Sequence, residues 1–227
     1  MIFALYMVIM LYGQMVATNV ASEKSSRAME VLITSAKPTA MMFGKVIASG
    51  LAGLIQLVVI FGSAVLCFNL NRAYWSDLAI VVSIFDMPLS LLGYMLVFFI
   101  LGFFLYAFMY GAIGSTVSKL EDVGTAVMPI TMMFVVAFVV VMTALSGSMD
   151  SPLIKVFSFI PFTSPMAMFT RIAMSTVPWY EIALSAGLLT ATVIGIGVLA
   201  AKIYRVGVLL YGNRPKISAL LKAIRKA

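Results

Sequence analysis

Histidine is absent from this 227-residue chain, and the one cysteine, Cys67, stands near the end of an apolar run. That excludes a disulfide within the chain, a Cys/His zinc site and any histidine-based nucleophilic triad, and Cys67 is expected to be a small apolar core residue. Charge is scarce too. Only 10% of residues are charged, and the eight acidic residues, Glu23, Glu30, Asp77, Asp86, Glu121, Asp122, Asp150 and Glu181, all fall in loops or at the edges of apolar runs. No ionisable side chain lies at the centre of a run, so the sequence mark of a proton relay or voltage sensor is missing. Nucleotide loops are missing as well: Gly44-Lys45 is followed by Val46 where a P-loop needs Ser or Thr. Gly195 and Gly197 follow no strand, and close helix packing is their expected role.

What remains is apolar. Hydrophobic residues make up 63% of the chain, with 16 Phe and 18 Met, and the mean hydropathy is +1.12. Runs over 2–20, 46–68, 89–113, 126–145 and 182–204 are each long enough to cross a hydrocarbon core of about 30 Å as a helix. None shows the polar alternation of a membrane β-strand, so the expected fold is all-α and polytopic. Twelve of the Lys and Arg residues fall in segment 21–45, segment 114–125 and the tail from Lys202, against Arg72, Lys155 and Arg171 in the alternate connections. The positive-inside rule then puts the first group in the cytoplasm and Met1 outside, an arrangement expected of a chain that continues upstream.

Segment 154–177 is apolar enough to suggest a sixth crossing. Pro161 and Pro165 divide it into pieces too short to span, and Arg171 in lipid would cost about 2.5–3.5 kcal/mol. Two re-entrant half-helices, covered by other helices, are expected instead. Residues 78–87 are expected to lie along the outer interface, with Tyr74, Trp75, Trp179 and Tyr180 in an aromatic belt. Gln56 is a polar side chain at depth, suited to an interhelical hydrogen bond or to a substrate contact.

The loop after the first run reads as a short amphipathic helix over about 22–35, stopped by Pro38. Glu23, Ser26, Arg27, Glu30 and Thr34 share one face of it, and Glu23 and Arg27 form an i,i+4 pair. Such a helix either solvates the membrane surface or docks a partner. In the tail, 205–227, Ile217, Leu220, Leu221 and Ile224 oppose Lys216, Lys222, Arg225 and Lys226, the pattern of a basic anchor on anionic lipid.

The string Glu23-Lys24-Ser25-Ser26-Arg27-Ala28-Met29-Glu30-Val31-Leu32, followed by Pro38 and Gly44-Lys45, resembles the signature loop of ABC-2 type permeases, in the branch with sodium-extrusion and drug-export members. Gly111-Ala112-Ile113-Gly114-Ser115-Thr116-Val117-Ser118, leading to Lys119, Glu121 and Asp122, resembles that branch's second cytoplasmic loop, although Val123-Gly124 stands where Ala-Gln is usual. Pro161-Phe162-Thr163-Ser164-Pro165 with Arg171 and Val177-Pro178-Trp179-Tyr180-Glu181 resembles its outer re-entrant region.

The resemblance implies an exporter-type permease in a prokaryotic inner membrane that is not itself an enzyme and binds no cofactor. ATP and Mg2+ would be held by a separate cytoplasmic ATPase subunit. Glu23, Lys24, Arg27 and Glu30 would meet that subunit, and Met29 and Leu32 would seat the helix. A second permease chain, identical or related, and the bilayer would be its other partners, with no nucleic acid. Sodium or a small hydrophobic, drug-like molecule is the implied cargo. Family members have six spans, so this chain is expected to begin at the second; a non-transporting scaffold or a truncated relic is the alternative.

Overall fold

The computed structural model describes residues 2–75, 88–147 and 151–209. The expected interfacial segment 78–87 and the basic tail beyond Leu209 lie outside the described residues. The described elements are helical throughout: α1 (Ile2–Ser25), α2 (Ala28–Ser35), α3 (Pro38–Leu70), α4 (Arg72–Trp75), α5 (Leu89–Thr116), a 3-10 turn (Leu120–Asp122), α6 (Val123–Ser146), α7 (Pro152–Phe159), α8 (Ser164–Met174) and α9 (Trp179–Gly207).

Proline marks where helices begin. Pro38 and Pro152 are the first residues of α3 and α7, Pro165 is the second of α8, and Pro88 and Pro178 immediately precede α5 and α9. A helix start has spare N–H groups, so a residue without one loses nothing there.

Five helices, α1, α3, α5, α6 and α9, are long and apolar enough to cross a membrane. Each outruns its apolar run at one end or both, because helical hydrogen bonding continues through the interface until something breaks it. At 33 residues, α3 is about 50 Å long and begins eight residues before its apolar run.

Contacts fix the helix directions. Ideal Cβ atoms on Gly13 and Gly114 would fall against Tyr110 and Ala17, and one on Gly102 would approach Ile9, so α1 and α5 run the same way. Gly197 meets Phe108 and Gly207 meets Ser115, so α9 is parallel to both. Gly50 against Phe103 and Gly111 near Met42 set α3 antiparallel to α5. The ring pairs Phe3–Phe138 and Tyr6–Phe134 set α6 antiparallel to α1. Consecutive spans thus point in opposite directions, as successive crossings require. One end of the bundle, here called the loop end, carries α2 and the 117–122 connection; the other carries α4 and the starts of α5 and α9.

α5 is the central helix, packed along α1 on one side and α9 on the other. Its sequence is apolar all round, as a helix surrounded by other helices requires. Phe98, Phe103, Leu105, Tyr106 and Tyr110 are all buried, and Tyr106 stacks on Phe134 of α6 at 3.9 Å between ring centroids. Because lipid tails are as apolar as these side chains, the packing gains stability chiefly from close van der Waals contact. Glycine supplies that closeness at Gly114, where a Cβ would lie 2.6 Å from the Ala17 carbonyl oxygen. Two expectations change. Cys67 faces outward on α3, and of the Gly195/Gly197 pair only Gly197 is tightly packed, Gly195 having open space beside it.

Candidate functional site

At the loop end, α1 does not stop at the apolar boundary but continues to Ser25. Arg27 then adopts left-handed backbone geometry, φ 61°, and α2 begins at Ala28. The expected single helix over 22–35 is therefore two, residues 22–25 belonging to the end of α1. Glu23, Ser26, Arg27, Glu30 and Thr34 do not share one helical face, because the turn at 26–27 interrupts the helix. Glu23 and Lys24 consequently belong to the end of a span, while Arg27, Met29, Glu30 and Leu32 belong to the turn and surface helix.

Within α2, Met29 is completely buried and seats the helix as expected. Leu32 does not; it is 38% exposed, and the half-buried Ile33, four residues after Met29, packs on the core in its place. Arg27, Glu30 and Thr34 are exposed. The expected Glu23–Arg27 pair is replaced by an ion pair between Glu23 and Lys45 of α3, since the turn carries Arg27 away.

Lys24 is 1% exposed and points into the bundle. Its Nζ donates to the Ser115 carbonyl at 2.7 Å and to the Gly207 carbonyl at 2.7 Å. Both oxygens lie in the last turns of α5 and α9, where carbonyls lack an intrahelical partner and the helix dipole is negative. The arrangement needs backbones in contact, and Gly207 provides it: a Cβ there would sit 2.3 Å from Ser115 Oγ. Lys24 therefore holds helix ends together and has no surface to offer a partner. On the second loop, Lys119 and Glu121 are exposed and Asp122 is half-buried at the N-cap of α6, where negative charge suits the dipole.

The re-entrant hairpin is formed by α7 and α8. Its tip reaches Gly102, midway along α5, where an added Cβ would lie 2.9 Å from Pro165. Non-helical backbone at this depth must satisfy its own polar groups. Thr163 Oγ1 donates to the Phe157 carbonyl at 2.7 Å, the Ser164 amide to the Ile160 carbonyl at 2.7 Å, and the Tyr106 hydroxyl to the Phe162 carbonyl. Pro161, at the tip, has no N–H to satisfy. Arg171 is 2% exposed, against protein. Its guanidinium donates to Ser158 Oγ at 2.9 Å and pairs with Glu181 of α9 at 2.9 Å, while Ser185 Oγ donates to the Ser158 carbonyl at 2.7 Å.

Lys45, Ser115 and Glu181 stood in the sequence only as members of longer strings or counts, and Gly207, Tyr106 and Ser158 not at all; none of the six was given a role there. Only Glu181 carried a usable signal, since a buried Arg171 demands a nearby acid. Carbonyl acceptors such as those of Ser115 and Gly207 leave no trace in residue type.

Comparison with known proteins places this architecture. The family model described as ABC-2 family transporter protein matches residues 1–202. The chain is 38% identical over its whole length to uncharacterized protein YhaP of Bacillus subtilis (strain 168), covering 54% of that protein. It is 26% identical over 99% of its length to uncharacterized protein MJ1024 of Methanocaldococcus jannaschii, covering 53%. The chain thus spans about half the length of the curated relatives it matches. No solved structure matches. With five apolar helices of spanning length and a family match over most of its residues, this chain belongs to the ABC-2 family of transporter proteins as a multi-pass membrane protein.

Proposed function

We propose that this chain is the membrane permease of an ATP-driven exporter whose ATP and Mg2+ are bound by a separate cytoplasmic ATPase subunit, and that α2 is the helix on which that subunit pushes. The observation that carries the reading is a contrast at α2: Met29 is locked into the bundle and Ile33 packs on the core, while Glu30 of the helix and Arg27 of the turn before it stand exposed. Mixed charge on a short rigid helix suits recognition by a partner surface of complementary charge. Lys119 and Glu121 of the second loop extend that surface. The excess of basic residues at this end supports its lying in the cytoplasm, with Met1 outside. Two permease chains, identical or related, would enclose the cargo path; sodium or a small hydrophobic, drug-like molecule is the proposed cargo.

The test is affinity purification from native membranes in mild detergent, with assay of ATP hydrolysis and identification of copurifying proteins. Recovery of an ATPase with wild type, and its loss or uncoupling with Glu30→Lys, is expected. A stable chain recovered with no ATPase would overturn the proposal and favour a scaffold role.

A further inference from the structure

Glu23 and Lys24 are neighbours in sequence, yet between them they bind three other helices. Glu23 pairs with Lys45 of α3, and Lys24 donates to carbonyls at the ends of α5 and α9. Charge-assisted bonds of this kind are about twice as strong as neutral ones, and the near-complete burial of Lys24 keeps water from replacing them. The accepted carbonyls lie in final helical turns, so the lysine competes with no helical hydrogen bond. Around it the backbones touch, Gly114 against Ala17 and Gly207 against Ser115, which brings both carbonyls within reach of the one ammonium group. Only Ser25, Ser26 and Arg27 separate this pair from α2. Three residues reach about 10 Å at full extension and here are folded into a tight turn, with the Arg27 amide donating to the Lys24 carbonyl.

We propose that Glu23 and Lys24 are positioning residues that pass movement of α2 to α3, α5 and α9, so that a push on one surface helix tilts three further helices together. The inference rests on the reading of α2 as the ATPase-driven helix. Without the pair, α2 would still dock and move, but the ends of α5 and α9 would not follow.

The experiment uses the chain copurified with its ATPase, in a Cys67→Ser background and diluted with unlabelled chain. Spin labels at Thr34→Cys on α2 and Thr125→Cys on α6 report α2; labels at Lys202→Cys on α9 and Thr125→Cys report α9. All three labelling positions are exposed. Trapping with ATP and vanadate is expected to shift both distances with Lys24 intact. With Lys24→Met the α2 shift is expected to persist and the α9 shift to be lost, while the ATPase is still recovered and the melting temperature falls only modestly, two carbonyls having lost their donor. An α9 shift that survives Lys24→Met, or one absent with Lys24 intact while α2 moves, would overturn the inference. Loss of both shifts with a lowered melting temperature would also overturn it, leaving a structural staple. Should Lys24→Met fail to assemble, Lys45→Met read with a label at Ala40→Cys on α3 decides: an undiminished α3 shift overturns the inference. Absence of any ATPase, or of any α2 shift with Lys24 intact, would instead sink the proposed function itself.

Discussion

Arg171 sits where a charge in lipid would be untenable, and its surroundings explain how it is tolerated. Ser158 and Glu181 meet the guanidinium from α7 and α9, so the hairpin is tied to a span through one side chain. Arg171→Met removes the partner of Ser158 and of the partly exposed Glu181, and is expected to lower stability by about 1–3 kcal/mol. The double variant Arg171→Met/Glu181→Leu should recover most of that loss, since burying neither charge is close to neutral. Thermal unfolding in detergent checks both. Tyr106→Phe removes the hydroxyl that satisfies the Phe162 carbonyl at mid-depth, and about 1–3 kcal/mol should be lost in the same assay. The sequence pointed to Arg171 because a lone charge among apolar residues is conspicuous. It put Lys24 among the partner contacts, because the neighbours Glu23 and Arg27 make it read as one more surface charge; its burial depends on two carbonyls more than ninety residues away.

At the scale of elements, α2 and the hairpin differ in how far their residues announced them. The hairpin was legible because Pro161 and Pro165 interrupt an apolar segment at known positions. The break between α1 and α2 was not, because no glycine or proline stands at 26–27 and the left-handed turn falls on an arginine. An L-residue in that region is disfavoured by about 1–2 kcal/mol, so Arg27→Gly is expected to keep the break and to leave the fold as stable as wild type, or up to about 1 kcal/mol more stable. Unfolding midpoints with unchanged helix content would bear this out; a lower midpoint would show that the arginine side chain stabilises the turn. Glu30→Lys belongs to this scale too. It lies on the exposed face of α2 and should leave the midpoint within about 0.5 kcal/mol while abolishing or uncoupling the ATPase association proposed above.

Across the whole molecule, five crossings and their alternation could be read from hydropathy and from the placement of Lys and Arg. Which helix lies at the centre could not. In a bilayer, apolar side chains gain little by choosing a helix over lipid, so hydropathy does not distinguish α5 from the more peripheral α3. The choice is made by small residues at close contacts, Gly13, Gly102, Gly114, Gly197 and Gly207, each meaningful only once its partner across the interface is known.

The hairpin's turning point at the level of Gly102 also governs the outline of the chain. Between that level and the end bearing α4, the described residues present seven helical segments in cross-section, namely the five long helices with α7 and α8; beyond it, towards α2, they present five. The described helices therefore form a wedge. Set in a bilayer, they would take more area towards the α4 end than towards the α2 end, so lateral pressure would act on the two sides differently. Lipids crowding the α4 side would meet the exposed Leu153, Val156 and Met174 of the hairpin, while Arg171 stays covered by protein.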